Sequence, residues 1–269
     1  MIEIIPTEKN YQKHMITLNK LITNSIKRSL MTFFVILMHA GCQIQGSLVL
    51  PKDETTAATI LENKGYGINY LKFKPGDQIY KVKMKATTRY EKGDLAAICK
   101  ITTLKFLRFE GISFPELSND DINSCANSNV NQLDFATIKS ENDSLCKLLQ
   151  LKKKPELILL FSNTRINRSL MECISDIKIL SDFGMDGYLD ITDEDFCSFS
   201  NKSKNLKFLR INESNLGKKS LECILNFTKL TSVMLQDWKN VPMAEHFEIM
   251  DAYEKKYGRK IEKLINDTY

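Results

Sequence analysis

Histidines and cysteines are the side chains of this sequence that most readily support chemistry. The 269-residue chain has seven cysteines and three histidines, His14, His39 and His246. Nucleophilic catalysis needs a base within hydrogen-bond reach of a serine or cysteine. His14 and His39 lie in an N-terminal segment that processing could remove, and His246 lies beyond the cysteine-rich part of the chain. The pattern therefore argues against a nucleophile–histidine pair.

Other catalytic and cofactor signatures are also missing from the sequence. No Cys-x-x-Cys pair is present, so the usual zinc-ligand spacing is absent. There is no glycine-rich phosphate loop and no dinucleotide-binding fingerprint. Asp182 and Asp186 could form a carboxylate pair, but two acids on one strand face more often lie on a solvated surface. We therefore predict a chain that is not an enzyme and that binds no metal or cofactor.

Composition indicates a folded protein without a nucleic-acid partner. Apolar residues make up 43% and charged residues 26% of the chain. The 38 basic and 33 acidic residues give a net charge of +5, and no five like charges are adjacent. Nucleic-acid binding proteins usually concentrate basic residues far more strongly. We expect a protein partner instead.

A template that is apolar at its first, fourth and sixth positions recurs along the chain. The sequence LKFLRFEGISF at Leu104–Phe114 returns as LKFLRINESNL at Leu206–Leu216. Units also begin at Ile79, Val130, Glu156, Leu180 and Leu230, so successive starts are 25, 26, 26, 24, 26 and 24 residues apart. A period in the twenties is typical of a solenoid, in which each unit stacks on its neighbours.

The segment from about Ile79 to Val241 resembles the leucine-rich repeat family, and within it the cysteine-containing, ribonuclease-inhibitor-like class. This resemblance implies an α/β solenoid, a curved parallel sheet with helices on its convex side, capped at both ends. The ninth position of the family motif is a polar side chain that hydrogen-bonds the backbone of a neighbouring unit. Thr87, Thr164 and Ser214 can do so, whereas we expect that Ile112, Ile138, Tyr188 and Trp238 cannot.

The chain divides into four predicted parts. Residues 1–50 form an N-terminal segment, 51–78 a cap with a hairpin, 79–241 the repeats, and 242–269 a C-terminal capping helix. The hairpin is predicted from alternating residues on both sides of Pro75–Asp77. Apolar residues at helical spacing between Phe247 and Leu264 predict the capping helix, which we expect to be interrupted or bent near Gly258.

The N-terminal segment leaves the location of the protein open. Leu30–Met38 is too short to span a bilayer, so we predict no stable membrane span. It suits the core of a secretory signal, with Lys27 and Arg28 before it and small residues after it. In that case the protein is secreted or resides in the endoplasmic reticulum. Alternatively, the segment is an amphipathic helix of a cytoplasmic protein.

Six glycosylation sequons would become acceptors only on the secretory route. They begin at Asn142, Asn167, Asn201, Asn212, Asn226 and Asn266.

Cysteines recur at one phase of the helical half of the unit. Cys146, Cys173, Cys197 and Cys223 fall 16, 17, 17 and 17 residues after the starts of their units. Equivalent positions of stacked units face the same seam of the core, where free cysteine behaves as a small apolar side chain. We predict packed thiols here, with disulfides or metal ligands as the alternatives.

Function is predicted on the sheet rather than in a pocket. Since the fourth and sixth strand positions point inward, the third, fifth and seventh should project together from the concave face. The partner-binding residues expected there are Phe106, Arg108, Asp134, Leu160, Phe208 and Arg210. Leu160 and its neighbour Ile158 could instead be core, because Leu157–Phe161 is apolar without alternation. The sequence thus predicts a non-catalytic protein-binding scaffold whose partner and oligomeric state it does not specify.

A second hypothesis makes the chain a substrate-recognition or regulatory subunit of an enzyme complex. In that case residues 1–50 would dock to the enzyme instead of acting as a signal.

Overall fold

Strands and helices alternate along the chain, as the repeated template predicts. The computed structural model describes residues 48–71, 78–138, 143–152, 156–187 and 190–266. The helices are α1 (Glu54–Asn63), α2 (Asp94–Cys99), α3 (Asn119–Ala126), α4 (Asp143–Leu151), α5 (Arg168–Ser175), α6 (Asp193–Lys202), α7 (Lys218–Cys223), which continues into a 3-10 turn (Ile224–Asn226), and α8 (Met243–Tyr257). The strands are β1 (Gly67–Leu71), β2 (Gln78–Lys85), β3 (Phe106–Glu110), β4 (Gln132–Ala136), β5 (Leu157–Ser162), β6 (Leu180–Asp186), β7 (Phe208–Asn212), β8 (Ser232–Gln236) and β9 (Glu262–Asn266).

The nine strands form one sheet in the order in which they occur in the sequence. Strands β2 to β9 are parallel, and β1 pairs antiparallel with β2 at the edge. The predicted hairpin is therefore confirmed, although its first strand begins at Gly67 and its Pro75–Asp77 turn lies outside the described residues. The predicted α/β class with a mostly parallel sheet is confirmed as well.

Core packing follows the fourth and sixth positions of the template. The fourth positions lie side by side in neighbouring strands, as predicted: Leu107, Leu133, Leu159, Phe183, Leu209 and Val233. All six are buried. At the sixth position, the Phe109 and Phe135 rings stack with their centroids 5.3 Å apart. Phe183 reaches the helical layer, where its ring centroid lies 4.9 Å from that of Phe199 in α6. Burial of this surface is the main stabilising contribution.

Several helices begin where side-chain caps satisfy the free amides of the first turn. The sequence predicts capping boxes at Ser118-x-x-Asp121, Ser140-x-x-Asp143 and Thr192-x-x-Asp195. Ser118 and Asp121 form such a reciprocal box at α3, and Thr192 and Asp195 form one at α6. The predicted box at Ser140 lies outside the described residues. Asp121 also accepts hydrogen bonds from the backbone amide of Ala96 at 2.8 Å and of Gly93 at 3.0 Å. One carboxylate therefore caps two successive helices, which fixes the spacing of their units.

The prediction of packed thiols is wrong, because the cysteines of neighbouring helices are joined by disulfides. The bonds are Cys99–Cys125, Cys146–Cys173 and Cys197–Cys223. Their Cα atoms lie 4.9, 5.8 and 5.2 Å apart, within the range that a disulfide spans. Each bond closes 26 or 27 residues, which is about one unit. The shared phase therefore places sulfur atoms of consecutive units face to face.

Strands β3 to β8 each end at a residue with left-handed backbone, at the eighth position of the template. These residues are Gly111, Thr137, Asn163, Gly187, Glu213 and Asp237, with φ between 48° and 106°. The backbone amide of each of the first five donates to the last carbonyl of the following strand, at 2.8 to 3.2 Å. The turn therefore extends the ladder by one bond while directing the chain off the sheet. Four of the six positions carry a side chain, which strains the backbone there.

The C-terminal helix is interrupted at Gly258, as expected, but it does not resume beyond that residue. Helix α8 stops at Gly258, whose φ of 64° is suited to a helix terminus. The chain then forms β9, which pairs in parallel with β8 through residues we had assigned to the helix, including Leu264. The apolar spacing is misleading here because the buried Ile261 and Ile265 fit both helical and strand patterns.

The ninth position also differs from expectation at one residue. The indole Nε1 of Trp238 donates to the carbonyl of Ile211 at 3.2 Å. Thr164 makes the equivalent bond, from Oγ1 to the carbonyl of Phe135 at 2.9 Å. The prediction that Trp238 cannot bond a neighbouring unit is therefore wrong, since an indole N–H reaches as far as a hydroxyl does.

None of the helices in the described ranges is both long enough and apolar enough to cross a bilayer.

Candidate interaction surface

The face of the sheet opposite the core carries the third, fifth and seventh positions of each unit. We call these side chains on β2 to β8 the open face. The third positions are Lys81, Phe106, Gln132, Ile158, Asp182, Phe208 and Ser232. The fifth are Lys83, Arg108, Asp134, Leu160, Gly184, Arg210 and Met234. The seventh are Lys85, Glu110, Ala136, Ser162, Asp186, Asn212 and Gln236.

The strand register settles the position of the two ambiguous apolar residues. In β5 burial alternates, so that Leu157, Leu159 and Phe161 are buried whereas Ile158 and Leu160 are partly exposed. Both partly exposed residues therefore belong to the open face. The alternative that placed them in the core is wrong.

Apolar side chains on the open face lie around a small residue. Phe106 and Phe208 are both partly exposed, two strands to either side of β5. The Leu160 Cδ2 atom lies 2.7 Å from the position that a Cβ atom would occupy at Gly184. Leu160 thus covers the neighbouring strand in space that any side chain at position 184 would fill.

Arg108 is held on the open face by two carboxylates. Its Nη1 atom lies 2.5 Å from Asp134 Oδ2, and its Nε atom lies 3.1 Å from Glu110 Oε2. The hydrogen bond from Arg108 lowers the pKa of Glu110 below its ordinary value. These two contacts fix the orientation of the guanidinium group. A partner that binds Arg108 would therefore lose little additional side-chain entropy.

Asp134 is less exposed than an interface residue predicted from sequence would be. Only 4% of the residue is accessible, and Oδ1 is buried without a hydrogen bond to any described residue. A buried carboxylate oxygen left unpaired is costly, typically by about 1 to 3 kcal/mol. Because this oxygen is closed off from solvent, Asp134 contributes to the open face by orienting Arg108 through Oδ2.

Arg210 stands at the same place in its unit but is paired differently. Its Nε and Nη2 atoms donate to the two oxygens of Asp186, at 3.0 and 2.7 Å. Such two-point contacts are among the stronger ion pairs. Asp182 and Asp186 are four residues apart in sequence, which separates their Cα atoms by about 13 Å in an extended strand. Both carboxylate oxygens of Asp186 thus pair with Arg210. Asp182 lies too far from Asp186 for the two carboxylates to share a proton.

Three lysines occupy the open face of β2. Within the described chain none of Lys81, Lys83 and Lys85 forms a salt bridge. The Lys81 Nζ atom lies 3.6 Å from the centroid of the Phe106 ring, a cation–π distance. Burial, together with the charges of Lys83 and Arg108, lowers the pKa of Lys81.

The groups considered for catalysis are dispersed. His246 lies on α8, 2% exposed, with its ring edge-on to Trp238 at a centroid distance of 5.5 Å. The six cysteines in the described ranges all form disulfides, and no cluster there could hold a metal ion. His14, His39 and Cys42 lie outside those ranges.

Comparison with known proteins gives no family assignment. No protein-family model matches the chain, and no curated protein has a significantly similar sequence. The role of the open face must therefore be argued from its own residues.

The sequence predicted which face of the sheet these six residues share, but not most of the side-chain contacts they make there. The structure brings Phe106, Arg108, Asp134, Leu160, Phe208 and Arg210 onto one face, and it pairs Arg108 with Asp134. The tether between Arg210 and Asp186 and the close approach of Leu160 to Gly184 were missed. Both were detectable in the aligned columns, because Asp186 and Arg210 lie diagonally adjacent and Gly184 is the glycine beside Leu160.

Proposed function

We propose that this chain is a non-catalytic scaffold that binds a partner protein on the open face of a leucine-rich repeat solenoid. The observation that carries the proposal is the pair of partly exposed Phe and Arg side chains at equivalent places on β3 and β7. Aromatic and arginine side chains contribute most to protein interfaces. Here carboxylates already orient both arginines, which lowers the ordering cost of binding.

The curvature of the sheet and its caps belong to the same proposal. The period of 24 to 26 residues supports it, as do the parallel register and the hydrogen bonds of Thr164 and Trp238 to preceding units. The hairpin strand β1 lies at one edge of the sheet and would act as the N-terminal cap.

The test combines mapping with mutation. A partner is identified by cross-linking, and only one whose cross-links map to the open face is taken forward. The variant Phe106→Ala, Arg108→Ala, Phe208→Ala, Arg210→Ala should raise its dissociation constant at least about a hundredfold, as expected for loss of interface anchors. Calorimetry measures the constant, and circular dichroism confirms folding. An unchanged constant for the folded variant would overturn the proposal.

A matched control alters the same number of residues away from the open face. Leu151 and Phe247 are exposed apolar residues, 48% and 44% accessible, and the side chains of Arg165 and Arg168 are 74% accessible. The variant Leu151→Ala, Arg165→Ala, Arg168→Ala, Phe247→Ala should bind the partner as the parent chain does.

We also propose that the chain matures in an oxidising compartment. Three disulfides join successive helices, and such bonds persist mainly in secreted proteins and in secretory compartments. Peptide mapping of the unreduced native protein should recover all three pairs. Recovery of alkylated Cys99, Cys146 and Cys197 instead would contradict this location.

A further inference from the structure

The charges of the open face are unevenly balanced. On β3 to β7, Arg108 and Arg210 are neutralised by neighbouring carboxylates. On β2, Lys81, Lys83 and Lys85 form no salt bridge in the described chain. The carboxylate of Glu110, beside Lys85 on β3, attracts Lys83 and Lys85 but is already paired with Arg108. The adjacent strand β1 brings Asn69 beside Lys81 and Gly67 beside Lys83, and neither is charged. Alternate residues of a strand are about 7 Å apart, so the three ammonium groups repel one another.

Two of the three lysines lie against the sheet. The Cε atom of Lys85 is 3.0 Å from the position that a Cβ atom would occupy at Gly67. Lys81 lies over the Phe106 ring. These contacts hold positive charge close to a partly exposed aromatic surface. An anionic group that docks there would relieve the repulsion among the lysines and meet an apolar neighbour.

A further strand supplies an apolar surface. On β5, Ile158 and Leu160 are the adjacent apolar pair of the open face. Strands are about 4.8 Å apart, so β5 lies about 14 Å from β2, which an extended peptide covers in about four residues.

We propose, building on the proposed function, that β2 to β5 bind an extended acidic segment of the partner protein. The segment crosses the strands. Its acidic side chains meet Lys81, Lys83 and Lys85. A bulky apolar side chain about four residues from the acidic group packs on Ile158 and Leu160.

The probe is a fluorescein-labelled peptide of about twelve residues with three adjacent glutamates and a leucine about four residues beyond them. Two matched peptides replace the glutamates with glutamine or the leucine with serine. An oligothymidylate of similar length tests for unspecific attraction of polyanions. Fluorescence anisotropy measures the dissociation constants at low salt and at about 0.5 M salt, where exposed charges are screened.

The chain itself is altered in two matched ways. The variant Lys81→Gln, Lys83→Gln, Lys85→Gln removes the three lysine charges on β2. Lys100→Gln, Lys147→Gln, Lys255→Gln removes the same charge from exposed lysines on or beside the helices. The first variant should weaken the glutamate peptide about tenfold at low salt and much less at high salt, because each contact is a partly exposed charge pair. The second should not weaken it.

The result expected is selective binding. Each matched peptide binds more weakly than the probe, and the oligothymidylate binds less tightly than the probe. Any one of three results overturns the inference: no saturable peptide binding below about 1 mM, equal weakening by both lysine variants, or oligothymidylate binding as tight as the probe.

Failure of this inference is distinguishable from failure of the proposed function. If the partner still needs Phe106, Arg108, Phe208 and Arg210 while the β2 lysines are dispensable, the open face binds a different kind of segment. If neither set matters, both proposals fail.

Discussion

The units that begin at Leu104 and Leu206 share the sequence Leu-Lys-Phe-Leu-Arg, yet their surroundings differ. In the Leu104 unit, the ammonium group of Lys81 covers Phe106, and Arg108 pairs with Asp134 on the following strand. In the Leu206 unit, Phe208 stands between Asp182 and Ser232, and Arg210 pairs with Asp186 on the preceding strand.

The difference shows what a copied unit fixes and what it leaves free. The unit determines where each side chain stands, since strand pairing places equivalent positions in one column. The neighbouring units determine which charge it meets. The Leu104 unit lies beside the three lysines of β2, whereas the Leu206 unit lies beside Asp182 and Asp186 of β6.

Removing a disulfide should have the largest effect on stability of the changes considered, and the loss should be similar in the two units. Cys99–Cys125 and Cys197–Cys223 tie each unit to the preceding helix, and both have a sequence separation of 26. Chain-entropy arguments then give each bond about 3.5 kcal/mol of stability. The double variants Cys99→Ala, Cys125→Ala and Cys197→Ala, Cys223→Ala should therefore lose similar amounts of unfolding free energy.

Urea denaturation of the two variants, with Cys146–Cys173 intact, measures the losses. A loss below about 1 kcal/mol in either variant would contradict the equal contribution, and it would indicate that the reduced chain keeps its helices together. Parent protein under reducing conditions should lose more than either variant.

The strands were predictable because their signal is local and repeated. In β3 and β7 the apolar fourth and sixth positions alternate with polar ones, and in-register stacking is the arrangement that buries them all. The pairing of the cysteines was not predictable in this way. A shared helical phase describes packed thiols and disulfides equally well, and only the separation between neighbouring helices decides between them.

The C-terminal strand was missed for a related reason. Its core-facing Lys263 and Ile265 correspond to Val233 and Leu235, so this step is 30 residues, against 24 to 26 elsewhere. The 15-residue helix α8 takes up the difference. A charged residue at the fourth position also hides the pattern. Lys263 is tolerated there because it pairs with Asp251 and Glu254 at 2.8 and 3.3 Å.

A smaller effect distinguishes how the helices of the two units end. At the end of the Leu104 unit's helix, the carbonyls of Cys125 and Ser128 accept hydrogen bonds from Nζ of the buried Lys152 in the following unit, at 3.1 and 3.3 Å. In the Leu206 unit, the exposed Lys256 donates to the carbonyl of Leu225 at 2.8 Å. Burial lowers the pKa of Lys152 from 10.5 to about 8.

Because of this lowered pKa, the unfolding free energy should depend on pH above about pH 8. Between about pH 8 and 10.5 the unfolded chain holds a proton on Lys152 that the folded chain releases, so stability rises with pH. Below pH 8 both states are protonated and the folded protein bears the cost of a buried charge. From pH 8 to 9.5 the parent should gain about 1.6 kcal/mol relative to Lys152→Met.

Urea denaturation at several pH values, on protein alkylated without prior reduction so that its disulfides stay intact, checks this difference. Lys256→Met serves as the control, and its stability should follow the parent with pH because the side chain it removes is exposed. If Lys152→Met keeps the same pH dependence as the parent, another group is responsible.

The smallest expected effect lies in the turns that end β3 and β7. Gly111 and Glu213 occupy the same eighth position, with φ of 68° and 51°. No atom lies within 4 Å of a Cβ placed at Gly111, so Gly111→Ala should cost about 1 kcal/mol through backbone conformation alone. Glu213→Gly should stabilise by about 0.5 kcal/mol, because relief of the strain exceeds the added entropy of the unfolded chain. Opposite signs in thermal denaturation are the expected outcome. Equal signs would mean that side-chain contacts, and not backbone strain, decide the stability of these turns.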